Sequence, residues 1–350
     1  MLDPNSIRQL TDQIPNSKKL FCFECDDWEK DYLVSQLSEW SVIATTERLL
    51  PANVTQFAEA EMIATFMRSD LSAGVLEKLP NLKCVLTRST GFDHIDLAYC
   101  REHKIVVCNV PGYGEHSVAE HTFALLLALS RKIVESFERT ERGDFDRAGL
   151  RGFDLFGKTL AVLGFGRIGQ AVAKIGLGFG MKVIVYDLKP NLEVAVKLGV
   201  EFKTLEEILG LADVVTLHVP GSKENFHLLN EKTLALLKKG SYLINTARGT
   251  LIETKALLVA LKSGQVAGAG LDVLEEENPL MDEMNLLASD SPAHVDWQVI
   301  LQDHALIEAD NVIITPHNAF NSQESLQLIL RTTADNAKNF NAGTPTNVVS

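Results

Sequence analysis

Three residues able to cooperate in acid–base chemistry follow strand-like apolar runs: Arg248 after SYLINTA, Glu277 past AGAGLDV and His317 after VIITP. In open α/β sheets ligands collect outside the carboxyl ends of the strands, so polar residues at those positions carry most weight. An arginine can hold a carboxylate in a two-pronged fork and polarise the neighbouring carbonyl. A histidine can give a proton to a forming alkoxide and, in reverse, take one away. A glutamate beside the ring fixes its orientation. Taken singly, a surface arginine, a satisfied loop histidine and a solvated acid are the commoner explanations. Their weight comes from the elements around them.

The strongest such element is Thr159 to Asp187, TLAVLGFGRIGQAVAKIGLGFGMKVIVYD. It reads as strand, glycine turn, helix, strand and acid, the pattern of a βαβ dinucleotide site. Gly164 permits a tight turn, Gly166 leaves room for a pyrophosphate against the backbone, and Gly169 lets the helix pack on the strand. The helix beginning at Arg167 and Ile168 offers free N–H groups to phosphates. Asp187, about twenty residues on, suits ribose hydroxyls and repels a 2′-phosphate, which favours NAD over NADP.

The rest of the chain supplies repeated β and α runs. From Leu20 to Val110, LFCFEC, SVIATT, EMIATFM, LKCVLTR and KIVVCNV alternate with helical stretches, which predicts a parallel sheet covered by helices. Pro111 to Gly114 is a turn-rich break. The largely apolar SVAEHTFALLLALSR follows, with Ser117 and Glu120 in capping-box spacing, and must be buried in the fold or against another subunit. Glu275 to Asp310 reads as an irregular acidic segment, and Ser322 to Phe340 as a closing amphipathic helix. His116 and His121 beside Glu120 lack the spacing of a zinc helix and read as structural.

With 350 residues there is length for two domains. The net charge of −13, from 46 acidic and 33 basic residues, argues against nucleic acid or an anionic membrane as partner. No apolar run is long enough to span a bilayer and no signal-peptide pattern opens the chain, so a cytoplasmic protein is expected. Five cysteines, an odd number, suggest free thiols. Cys22 and Cys25 form a C-x-x-C crowded by Glu24, Asp26 and Asp27, which reads as buried strand-end cysteines rather than a redox site. No metal spacing is present.

Together these motifs resemble the D-isomer-specific 2-hydroxyacid dehydrogenases. RSTGFDHIDL (88–97), VAEHT (118–122), GFGRIG (164–169), DVVTLHVP (213–220), NTARG (245–249), GLDVLEEENP (270–279) and TPHNAF (315–320) stand in the family's order over nearly the whole chain.

The resemblance implies Arg248 as the substrate-binding, carbonyl-polarising arginine and His317 as the acid/base. It assigns the paired glutamate to Glu277, the acid preceding Asn278-Pro279 in a run of three. His218, Val219 and Pro220, with Thr246 and Ala247, would pass the cofactor, and Asp272 would lie on the nicotinamide side. Thr90 and Gly91 would hold the substrate carboxylate through backbone N–H groups, and Tyr113 matches a tyrosine that reaches substrate in the D-lactate dehydrogenase branch.

It also implies two α/β domains. Residues 1–112 with 315–350 would form a flavodoxin-like substrate domain and 113–314 a Rossmann NAD-binding domain, with the active site in the cleft between them. A homodimer is expected, with the apolar helix a plausible interface. The implied reaction is reduction of a small 2-oxo acid, pyruvate foremost, to the D-hydroxy acid. Glyoxylate or hydroxypyruvate reduction is the alternative within the class, and an NAD-sensing corepressor-like protein the alternative outside it. A hydrolase of S-adenosylhomocysteine lacks support, because its larger substrate domain has no counterpart here.

Overall fold

The computed structural model describes residues 18–277 and 296–349. Contacts divide the chain into two units, Met1–Tyr113 with Gln323–Ser350, and Gly114–Ser322.

In the first unit five parallel strands, β1 (Lys18–Cys22), β2 (Trp40–Ala44), β3 (Met62–Thr65), β4 (Cys84–Thr87) and β5 (Val106–Cys108), run in the order β2-β1-β3-β4-β5. This is the flavodoxin-like order. The run LFCFEC is apolar almost throughout because both faces of β1 are covered. Leu20 and Cys22 join a core with Leu33, Leu330 and Ala334, whereas Phe21 and Phe23 join Phe57, Ile63 and Val75 on the other side.

The five cysteines are free and buried. Cys22 ends β1 and Cys25 precedes Asp26, the N-cap of the Asp27–Gln36 helix, so the pair does occupy a strand-to-helix junction. Glu24 does crowd it, its charge disfavouring a Cys22 thiolate, while its carboxylate accepts from the Phe66 and Arg68 N–H groups and the Ser69 hydroxyl.

The second unit is a seven-stranded parallel sheet of β6 (Thr159–Leu163), β7 (Lys182–Tyr186), β8 (Glu201–Phe202), β9 (Val214–Leu217), β10 (Ser241–Asn245), β11 (Val266–Leu271) and β12 (Val312–Ile314). Its order, β12-β11-β10-β9-β6-β7-β8, reverses beside β6, the switch point of a Rossmann sheet. The sequence expectation put the return to the first unit at 315. This division puts it after Ser322, since β12 pairs with β11 and the turn beyond β12 is tied to Asp272.

Two local expectations differ from what forms. The long apolar helix spans Glu115–Arg131 with Gly114 at its N-cap, so Ser117 and Glu120 lie inside it and do not cap it. Glu115 in the first turn already complements the helix dipole. Ala119, Phe123, Leu125, Leu126 and Leu129 of this helix are buried in the core that the sheet and the Arg167–Gly178 helix form. The next helix, Ile133–Glu141, has no buried residue and exposes Ile133, Val134 and Phe137. Finally, the acidic stretch before His317 contains a helix, Trp297–Ile307. Asp296 caps it by accepting from the Gln298 and Val299 N–H groups, and Ile300, Asp303 and Leu306 form its buried stripe.

Candidate active site

The glycine turn after β6 has the geometry that a dinucleotide needs. Gly164 has φ +98, and a Cβ there would lie 2.5 Å from the backbone carbon of His218. A Cβ on Gly169 would fall 1.9 Å from the Gly164 carbonyl oxygen. Gly166, by contrast, faces open space at the N-cap of the Arg167–Gly178 helix, where N–H groups point outward. Two glycines therefore serve close packing and the middle one leaves room for phosphates.

Asp187 stabilises this turn. One carboxylate oxygen accepts from the Phe165 N–H at 2.7 Å and the other from the Lys189 N–H at 2.8 Å. Each oxygen keeps a further lone pair for a ribose hydroxyl. Arg167 is exposed and pairs with Glu115 at 3.1 Å, and Ile168 is half-buried. These residues fit an adenine dinucleotide. Gly169→Ala must push the helix start away from β6, so NADH affinity should fall at least about tenfold, since the loss of even one charge-assisted hydrogen bond costs about 1.5–3 kcal/mol. Titration of protein fluorescence with NADH reads this directly.

Further along the strand ends, His218 is half-buried, with its Nε2 2.7 Å from the Thr216 hydroxyl. Burial pushes its imidazole down to about 3, so it is neutral at physiological pH and does not donate a proton there as an imidazolium. Val219 is buried and Pro220 exposed. Thr246 donates to Thr122, whose own hydroxyl proton goes to the Val118 carbonyl. The Ala247 N–H is held by Asn245.

Arg248 opens a short turn after β10. Its carbonyl is held by the Asn245 amide at 2.9 Å, and its Nη1 donates to the Ala247 carbonyl at 2.8 Å. The stem of the side chain lies against Gly221, where a Cβ would come 2.8 Å from Arg248 Cγ. The following Gly249 is required for a different reason: a Cβ there would sit 1.9 Å from the Leu274 carbonyl oxygen. That contact brings the Arg248 turn against the chain leaving β11, which carries the three glutamates.

Those glutamates divide their tasks. Glu275 turns into the fold, with one oxygen 2.5 Å from His227 Nε2 and the other accepting from the Thr254 N–H and hydroxyl. The Glu276 N–H donates to Asp303. Glu277 alone meets His317, Oε1 to Nδ1 at 2.8 Å. With Nδ1 donating to the carboxylate, the chemistry of the ring is left to Nε2.

The turn carrying His317 is unusual. His317 has φ +52, a left-handed conformation that costs a non-glycine residue energy and is found where surroundings enforce it. The enforcing group is Asp272. Its carbonyl accepts the His317 N–H at 2.9 Å, and its carboxylate accepts from the Thr315 hydroxyl and the Asn318 and Ala319 N–H groups, with His121 Nε2 at 3.3 Å. Burial alone would raise this carboxyl, but the hydrogen bonds outweigh it and hold it below the ordinary carboxylate range. The Asp272 carboxylate thus straps the histidine turn.

Arg248, Glu277 and His317 all belong to the second unit. Thr90, Gly91 and Tyr113 belong to the first. There the Thr90 hydroxyl donates to the Val110 carbonyl, Ser89 donates to the Gly91 carbonyl, and the Tyr113 carbonyl accepts from Ser325. Asn278 and Pro279 lie outside the described residues. Sequence reasoning missed Thr254, His227 and Asp303, because none follows a strand. Among the described residues there is no cluster of potential metal ligands.

A seven-stranded Rossmann sheet with a glycine turn, an acid just past β7 and a glutamate-held histidine is the framework of a dinucleotide-dependent α/β oxidoreductase. Residues 123–319 match the NAD-binding domain of the D-isomer specific 2-hydroxyacid dehydrogenases, and the chain belongs to that family. It is 39% identical over 300 residues to 2-hydroxyacid dehydrogenase homolog 1 of Schizosaccharomyces pombe, covering 84% of this chain and 87% of the relative. It is 33% identical over 328 residues to the glyoxylate reductase of Pyrococcus furiosus, covering 92% and 87%. A D-lactate dehydrogenase from Aquifex aeolicus, solved with NAD and lactic acid, superposes with a TM-score of 0.83 at 36% identity, over 93% of this chain and 96% of that one.

Proposed function

We propose that this NAD-dependent 2-hydroxyacid dehydrogenase reduces a small 2-oxo acid, pyruvate first, to the D-2-hydroxy acid. The observation that supports this best is the 2.8 Å bond between Glu277 and His317 Nδ1, which reserves Nε2 for the substrate oxygen. Bound NADH supplies the hydride. His317 delivers the proton to the forming alkoxide, and Glu277 keeps the ring oriented and balances its positive charge. Arg248 grips the substrate carboxylate and polarises the carbonyl.

Glyoxylate and hydroxypyruvate are the competing substrates, since each carries the same 2-oxo carboxylate. NADH and NADPH consumption measured against a panel of 2-oxo acids tests the reading. Faster turnover of pyruvate with NADH than of the others supports it, and a glyoxylate or hydroxypyruvate preference corrects the substrate. No consumption with any member contradicts it and favours the NAD-sensing, corepressor-like alternative.

A cytoplasmic homodimer fits five free cysteines and the unpartnered apolar face of Ile133, Val134 and Phe137. Among the described residues no helix is long and apolar enough to cross a membrane. A dimeric mass in light scattering, lowered to that of the monomer by Phe137→Asp, is the expected result.

A further inference from the structure

Asp303 is fully buried in the middle of the Trp297–Ile307 helix, and its surroundings raise a question of hydrogen count. Its Oδ1 lies 3.3 Å from the Thr254 hydroxyl, and that same hydroxyl lies 2.8 Å from Glu275 Oε2. A hydroxyl has one proton to give. With Thr254 donating to Glu275, the contact with Asp303 is a hydrogen bond only when Asp303 itself donates, which requires a protonated carboxyl. Its other oxygen, Oδ2, accepts the Glu276 N–H at 3.1 Å.

The segment bound in this way is the one that ends in Glu277. Glu275 is fixed by His227 and Thr254, Glu276 by Asp303, and Glu277 then reaches His317. We propose that Asp303 is a proton-bearing positioning residue, and that its neutral carboxyl holds the Glu275–Glu277 segment where Glu277 can orient His317. This rests on the roles proposed above for Glu277 and His317.

Ionising Asp303 removes one hydrogen bond and sets two carboxylates against a single hydroxyl, with Asp303 itself buried. Among the described residues the charged or titratable groups facing it are Glu275 and Glu276 from the chain after β11, with His227 behind Glu275, and His304 from its own helix. The Thr254–Ser263 helix contributes the neutral Thr254. Burial raises the carboxyl to about 6, with Glu275 adding to the rise and the Glu276 N–H and His304 opposing it.

The sign of the stability effect follows. The folded state holds the proton more tightly than the unfolded chain, so this contribution is complete below the ordinary aspartate range. It is lost as pH rises through about 6. Asp303→Asn keeps a donor for Thr254 and an acceptor for Glu276 at every pH.

The experiment compares wild type, Asp303→Asn and Asp303→Ala from pH 4 to pH 8, reading melting temperature, NADH affinity, and kcat and KM for the 2-oxo acid. Relative to Asp303→Asn, the wild type should lose melting temperature between pH 4 and 7. At pH 5, where the wild-type carboxyl is protonated, kcat should be lowered several-fold in Asp303→Ala and restored in Asp303→Asn, with NADH affinity unchanged throughout. Parallel melting profiles for wild type and Asp303→Asn would overturn the proton. A wild-type kcat in Asp303→Ala, or a kcat in Asp303→Asn as low as in Asp303→Ala, would overturn the positioning role. If the wild type reduces no 2-oxo acid, the proposed reaction fails, while the melting profiles still decide whether Asp303 bears the proton.

Discussion

His317→Ala should lower kcat by about a hundredfold to ten-thousandfold, the usual worth of a positioned acid–base group, while NADH binds as in the wild type. The split follows from where the residues sit. The dinucleotide features gather at the end of β6 and at Asp187, whereas His317 follows β12 at the other end of the same sheet and is held by Asp272 and Glu277. Removing the imidazole leaves the glycine turn untouched. Among the other described histidines of this unit, His218 is neutral, His121 is tied to Asp272 and Thr315, and His227 to Glu275. Single-turnover measurements with NADH read the chemistry, and fluorescence titration reads the binding. An unchanged kcat would remove His317 from the reaction.

Arg248→Gln should lower kcat/KM for the 2-oxo acid by about a hundredfold to ten-thousandfold, because two hydrogen bonds to a charged group are worth about 1.5–3 kcal/mol each. Glutamine keeps much of the stem that lies on Gly221 but loses the charge and the fork. KM should rise as the carboxylate loses its grip, and kcat should fall as the carbonyl loses its polarising charge. Arg248→Lys should recover only part of either, since an ammonium cannot form the planar pair. A rise in KM with kcat unchanged would limit Arg248 to binding.

Much of this was legible in the sequence because the signals were local. A strand buried on both faces has to be apolar throughout, so LFCFEC and TLAVL declared a parallel sheet before any pairing was known. The glycine turn was legible because each glycine answers a separate steric demand, and the clashes a Cβ would meet at Gly164 and Gly169 bear those demands out. The family's motif order brought Arg248, Glu277 and His317 forward together.

What was hidden depends on partners distant in sequence. The Trp297–Ile307 helix was read as irregular because acidic residues surround it, although its buried positions recur every third residue. The strap that Asp272 makes to Thr315, Asn318 and Ala319 joins residues more than forty positions apart. Which of three consecutive glutamates meets the histidine depends on His227 and Thr254 capturing the first of them. The C-x-x-C was judged from its acidic sequence neighbours, although a buried arginine, Arg88, donates to the Phe23 carbonyl between the two cysteines.

In the proposed reaction Arg248 and His317 act on one carbonyl oxygen. A crystal structure of the protein with NADH and oxamate, an unreactive mimic of pyruvate, tests it most directly. The account predicts His317 Nε2 and the Arg248 guanidinium both within hydrogen-bonding distance of the oxygen standing for the ketone, with Glu277 still on Nδ1. An oxamate bound beside the nicotinamide with His317 turned away from it would contradict the account.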